Sequence, residues 1–233
     1  GCDEYPDIFE LIKKCTKEDP NERPTIKNLL DSFLELYIND IPNNELLNFF
    51  GRDFNELEDF YELGRSYLKG RYIEKNVEKV FTCIAERNHL NAMIDLGIIY
   101  CEGKYVQRDV SKGIEYFMKA ANKNHAQAQF NLGQLYINNK YIPLNINKAI
   151  YYYTLAAEQN HVHALNNLGM IYIEGKFIQK DINKAISYFT LAANLNLADS
   201  QYILGRLYFH NDYVPQDIKK AIFYYTLAAN QNH

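Results

Sequence analysis

Tryptophan is absent from this chain of 233 residues, and glycine (11) and proline (6) are sparse. Charged residues make up 23% and hydrophobic residues 47%, which excludes disordered and fibrous chain and leaves ordinary globular protein with enough length to bury a core. Charge of one sign is also lacking. A net charge of −4 argues against nucleic acid or an anionic membrane surface as the main partner. No apolar run approaches the ~18 residues of a membrane span. Residues Gly1-Cys2-Asp3-Glu4-Tyr5-Pro6 are acidic and hold no apolar stretch, so they do not read as a secretory signal. A myristoylation site would need Ser or Thr where Tyr5 stands. The first residue is not Met, which fits a chain that begins inside a longer protein. Four cysteines (Cys2, Cys15, Cys83, Cys101) form neither a C-x-x-C pair nor a disulfide framework, and reduced thiols in a cytoplasmic protein are the expectation.

What is abundant is tyrosine, at 20 residues. Most of them belong to a repeat. Leu-Gly recurs at Leu63-Gly64, Leu96-Gly97, Leu132-Gly133, Leu168-Gly169 and Leu204-Gly205, at intervals of 33, 36, 36 and 36 residues. A tyrosine follows three residues later each time: Tyr67, Tyr100, Tyr136, Tyr172 and Tyr208. Each unit reads as two helices. The first carries apolar residues at helical spacing, such as Ala164, Leu165, Leu168 and Ile171, and stops at Gly70, Gly103, Asn139, Gly175 or Asn211. Loop pairs such as Tyr105-Val106, Phe177-Ile178 and Tyr213-Val214 are expected to tuck under the helices. The second helix opens at Asn76, Asp109, Asn145, Asp181 or Asp217, all good N-caps. Aromatic pairs (Tyr152-Tyr153, Tyr188-Phe189, Tyr224-Tyr225) then face small pairs (Ala156-Ala157, Ala192-Ala193, Ala228-Ala229). The Leu-Gly glycine gives up roughly 1 kcal/mol of helix propensity, which makes sense where a neighbouring helix packs on its bare backbone.

These motifs resemble the Sel1-like repeat family. Residues 162–197 match best, with Leu168-Gly169-Met170-Ile171-Tyr172, Gly175, Asp181, Lys184-Ala185 and Ala192-Ala193 in place. Tetratricopeptide repeats are related but have a period of about 34. The resemblance implies an all-α solenoid over residues 57–233, in units 57–89, 90–125, 126–161, 162–197 and 198–233. The first unit lacks three residues and is either degenerate or a cap.

Residues 1–56 differ in charge: 6 Lys/Arg against 13 Asp/Glu give −7, while residues 57–233 carry 19 against 16. Leu11-Ile12, Cys15, Asp19-Pro20, Arg23-Pro24 and Thr25 resemble the last block of the protein kinase domain. That implies a kinase end over residues 1–40 and a linker over 41–56. The Gly-rich loop, Val-Ala-Ile-Lys, His-Arg-Asp and Asp-Phe-Gly do not occur in this chain, so as given it is not expected to transfer phosphate. ATP and Mg would enter only with a complete kinase domain before residue 1. No cofactor or metal is expected for the repeats themselves.

The expected function is a protein-interaction scaffold. The alternative is the C-terminal fragment of a kinase whose repeats recruit substrates. Stacked helix pairs form a superhelix, and the resemblance implies that first helices line its concave face. Positions two before and one after each Leu-Gly glycine share a helical face. They hold Glu62 and Arg65, Asp95 and Ile98, Asn131 and Gln134, Asn167 and Met170, Ile203 and Arg206. Asn131 and Asn167 are of most interest, because an amide both donates to and accepts from a peptide backbone. His89, His125, His161 and His233 each follow an Asn at the end of a second helix. They read either as a metal ladder or, much better, as residues of the helix C-terminus and turn. The array stops just after a second helix, so self-association through an uncovered last face is also expected.

Overall fold

The computed structural model describes Tyr61 and residues 77–86, 88–138 and 142–231. The kinase-like stretch and the linker lie outside these residues. Every regular element among them is helical: α1 Val77–Glu86, α2 Leu90–Glu102, α3 Val110–Ala121, α4 Ala126–Asn138, α5 Ile146–Glu158, α6 Val162–Glu174, α7 Ile182–Asn194, α8 Ala198–Phe209 and α9 Ile218–Ala229. The fold class is the helix-pair α-solenoid. The chain divides into two compact units, Gly1–Gly113 and Ile114–His233. In the second, α4 through α9 pack each on the next in chain order.

Local chemistry sets the helix boundaries. The side chains of Asp109, Asn145, Asp181 and Asp217 accept from the backbone N–H of Lys112, Lys148, Lys184 and Lys220 at 2.9–3.0 Å. Each satisfies a donor that the first helical turn leaves orphaned. The backbone N–H of the same four caps donates to the carbonyl of Tyr100, Tyr136, Tyr172 and Tyr208. The loop is thus closed by its own ends. The tyrosine rings join the closure: Tyr136 stacks on Tyr152, Tyr172 on Tyr188 and Tyr208 on Tyr224, at centroid distances of 5.8–6.0 Å. The ammonium groups of Lys148, Lys184 and Lys220 lie within 5.0 Å of the same three tyrosine centroids.

First helices end as expected at Gly103 and Gly175, at φ +66° and +63°. Asn211 does not serve this way. Helix α8 stops at Phe209, and His210 follows in extended conformation. The left-handed asparagines are instead Asn88, Asn124, Asn160 and Asn196, which end the second helices at φ +60° to +66°. There the Ala-Ala pair supplies the acceptors. Asn160 N–H donates to Ala157 O and His161 N–H to Ala156 O, and the bonds recur at Asn124–His125 and Asn196–Leu197. This is a Schellman closure.

The loop aromatics also differ from expectation. Phe177 and Tyr213 are exposed, and Lys176 and Lys180 lie 4.9 and 5.0 Å from their centroids. The β-branched neighbour does the tucking: Ile178 packs against the core of Leu165, Leu168 and Ile171. An aromatic ring at the surface can be met by a lysine cation on its face, whereas a short aliphatic side chain has no such compensation.

The core of the second unit is built from small-on-large contacts. Ala149, Ala156, Ala164, Ala185 and Ala192 are fully buried beside Tyr153, Leu168, Phe189 and Leu204. A β-carbon on Gly133, Gly169 or Gly205 would meet the ring of Tyr153, Phe189 or Tyr225 at 2.5, 2.6 or 2.7 Å. The glycines receive the second aromatic of their own unit.

Candidate protein-interaction surface

The first helices place the expected face as follows. Glu62 and Arg65 lie outside the described residues. Asp95 is half-buried on α2. Asn131 is half-buried on α4, where its Oδ1 accepts from Gln127 Nε2 at 2.9 Å, and Gln134 is exposed one turn on. Asn167 on α6 sits beside the Tyr153 phenol. Burial pushes that phenol up to about 12, and Asn167 acts in the opposite direction. Met170 is half-buried and Arg206 exposed.

Three of the ten residues of that face, Met170, Ile203 and Arg206, come together. Met170 of α6 and Arg206 of α8 line one groove of about 220 Å³, with Ile173, Ile203, Leu207, His210, Asp212 and Tyr213. The bond from Ser200 Oγ to Asn166 Oδ1, 2.9 Å, ties α8 to α6 beside it. The floor is aliphatic. Among the described residues no carboxylate lies within ion-pair distance of Arg206. The sequence pattern did not mark Tyr213 and Asp212, because it assigned the loop aromatic to the core.

Two of the four histidines, His89 and His161, cap helices, His233 lies outside the described residues, and no group of three or more His, Cys, Asp or Glu among the described residues could hold a metal ion. His89 and His161 stand at the start of first helices rather than at the end of second ones. Their Nδ1 atoms accept from Ala92 N–H at 3.1 Å and Ala164 N–H at 3.3 Å. His161 also stacks on Phe130 at 4.5 Å and reaches Gln127 Oε1 with Nε2 at 3.2 Å. An imidazole can cap in this way only while Nδ1 is unprotonated, and a cation at a helix N-terminus opposes the dipole. Burial first, then the neighbouring His163 and His125, lower the His161 pKa below its ordinary 6.5. The folded state therefore disfavours the proton. The cap's contribution, about 1 kcal/mol, is present in full above pH ~6.5 and lost as pH falls from there through the folded-state pKa. Urea unfolding between pH 7.5 and 5 is expected to show this loss. His161→Asn, which caps without titrating, should flatten that part of the profile, and an unchanged profile would rule the cap out as its source.

Burial also raises the Cys101 thiol to about 11, with Glu102 and Asp109 adding to the effect, so it stays protonated at neutral pH. In the first unit the Tyr100 hydroxyl bonds the Glu78 carboxylate, and Lys112 Nζ lies 3.5 Å from the same carboxylate. No helix among the described residues is long and apolar enough to cross a membrane.

The Sel1 repeat profile matches residues 61–79, 90–125, 126–161, 162–197 and 198–233. Among solved structures, a Sel1 repeat protein from Oxalobacter formigenes is similar at 27% identity and a TM-score of 0.70, over 89% of this chain and 84% of that one. A protective antigen of uropathogenic Escherichia coli with an SLR fold shares 20% identity at a TM-score of 0.70, over 97% of this chain and 49% of its own. Cysteine rich protein B of Helicobacter pylori shares 30% identity at a TM-score of 0.44, over 56% of this chain and 94% of that one. No curated protein sequence matches the chain.

Proposed function

The chain belongs to the Sel1 repeat family, whose members generally serve as protein–protein interaction scaffolds, and we propose that this chain docks a protein partner on the face of its first helices. The groove between α6 and α8 carries the reading. It is apolar, open to solvent and flanked by side chains able to make directed polar contacts. The site is a surface and needs no cofactor. Affinity capture with the full chain is expected to retain a partner at near-stoichiometric yield. The variant Asn131→Lys/Arg206→Glu should lose it, while Ser187→Lys, on the exposed side of α7, should not. No retained protein, or equal loss with both variants, would refute the surface.

Self-association belongs to the same proposal. Ile218, Ile222 and Phe223 of α9 are 44%, 61% and 56% exposed. Their counterparts Ile182 and Ile186 on α7 are half-buried, and Ala229 is exposed where Ala157 and Ala193 are buried. Sedimentation equilibrium on the same preparations should show concentration-dependent dimers that Ile222→Glu removes. A strictly monomeric parent chain at high concentration sinks this part alone.

The kinase-like residues Asp19 to Thr25 support a second reading, in which the repeats recruit for a kinase domain upstream. An open reading frame before residue 1 encoding a Gly-rich loop and His-Arg-Asp would be required, and a start codon there would refute it.

A further inference from the structure

We propose that the α6–α8 groove recognises an acidic–apolar protein segment: one large apolar side chain seated among Met170, Ile173, Ile203 and Leu207, with a neighbouring carboxylate on Arg206. The inference rests on the scaffold reading and narrows its partner.

Size decides against a small molecule. Pockets for drug-sized ligands run to roughly 300–1,000 Å³, and this groove holds about 220 Å³. That is room for a single bulky anchor, the feature around which protein interfaces concentrate their energy. Two walls are helices tied by Ser200 and Asn166, so the anchor site stands on rigid elements.

Charge selects the rest of the segment. Arg206 lies at the rim of the aliphatic patch. Among the described residues it has no ion-pair partner. A second cation stands outside the lining, where Lys180 Nζ lies 5.0 Å from the centroid of the lining residue Tyr213. One carboxylate, Asp212, opposes them, and His210 and Tyr213 are the other ionisable lining groups. The lining itself balances Arg206 against Asp212, and Lys180 beside the Tyr213 ring adds a second cation next to it. A guanidinium also accepts a carboxylate in a bidentate fork, which a solvated lysine does not offer. Partial desolvation by the aliphatic floor strengthens that pair relative to one at an open surface. A basic segment would meet Arg206 and Lys180 with like charge, and this rejects it.

The test uses a phage-displayed library of random dodecapeptides selected on the full chain at low and moderate salt. Enriched peptides should pair Leu, Phe or Met with Asp or Glu within four positions. Synthetic copies should bind about tenfold more weakly to Arg206→Gln and to Met170→Glu, and selection on Arg206→Glu should shift the acidic position to Lys or Arg. Thermal melts matching the parent show that each variant is folded. Arg206→Gln keeps the size and polarity of the site and serves where charge reversal perturbs it. Peptides without acidic bias, peptides that bind all variants alike, or no enrichment would overturn the groove assignment. A partner captured through Asn131 but insensitive to Arg206→Gln would leave the scaffold reading standing while refuting this one.

Discussion

Phe189→Ala should lower the stability of the second unit by about 3–5 kcal/mol, the usual loss for a buried aromatic truncated in a packed core. Phe189 is fully buried, and its ring rests on the bare backbone of Gly169. The reciprocal change is more informative. Helix propensity alone makes Gly169→Ala stabilising by about 1 kcal/mol. The packing says otherwise, because the new β-carbon would stand 2.6–2.8 Å from three ring atoms of Phe189. Overpacking of this kind costs about 1–3 kcal/mol, so the net effect should be destabilising. Gly205→Ala should be milder, since Tyr225 is only partly buried and its ring has room to swing outward. Urea unfolding of the three variants checks the order. A stabilised Gly169→Ala would show that the ring is not held against α6.

The second large effect concerns amides in the core. Gln129 is 2% exposed. Its Nε2 donates to Asn124 Oδ1, and its Oε1 accepts from Gln159 Nε2 at 2.7 Å. Gln201, Asn196 and Gln231 repeat the arrangement, again at 2.7 Å. In the unit between them, Leu165 and Leu195 occupy the two glutamine positions, and Leu165 is 2% exposed. The molecule therefore carries two choices at these two positions, amides in two units and leucines in the unit between. Gln159→Leu should cost about 1–3 kcal/mol, because it orphans a buried acceptor on Gln129. Adding Gln129→Leu should restore at least half of that loss, since it removes the orphaned acceptor and places at both positions the residues of the intervening unit. A double-mutant cycle measures the coupling. Additive losses would mean that the two amides act independently.

Much of this fold was legible in the sequence, and the reasons are local. The caps at Asn145, Asp181 and Asp217 form their bonds because a short side-chain oxygen one residue before a helix has few other uses. The Leu-Gly glycine was legible as a packing site, although its occupant, the second aromatic of the same unit, required the structure. The asparagines were placed correctly at the ends of the second helices, but the caps of His89 and His161 were misassigned. Asn160 and His161 sit between two helices, and a three-residue turn lets one residue finish the first helix while its neighbour begins the next. The sequence pattern assigned His161 to the same terminus as Asn160. The glutamine network escaped notice because it recurs every second unit, at twice the repeat length.

The groove was half legible. Met170 and Arg206 share a register position one unit apart, so a per-unit pattern finds each of them. It does not reveal that they line one groove with a loop whose aromatic stays in water. Asn131, by contrast, already has Gln127 as a partner, so a peptide amide would have to compete for it.

The amide network also bears on how such an array changes length. Its two glutamines come from one unit, while the asparagine comes from the turn before it. Every described turn supplies that asparagine in the same left-handed conformation, including Asn160, which precedes the leucine unit. Excising residues 162–197 would therefore bring Gln201 and Gln231 behind Asn160 with all their bonding groups matched. Gene duplication or loss of a whole 36-residue segment can then pass through this amide network without breaking its bonds, whereas a shift that is not a multiple of that length cannot. The asparagine acts as a universal socket, and inheritance can shuffle the pieces that plug into it.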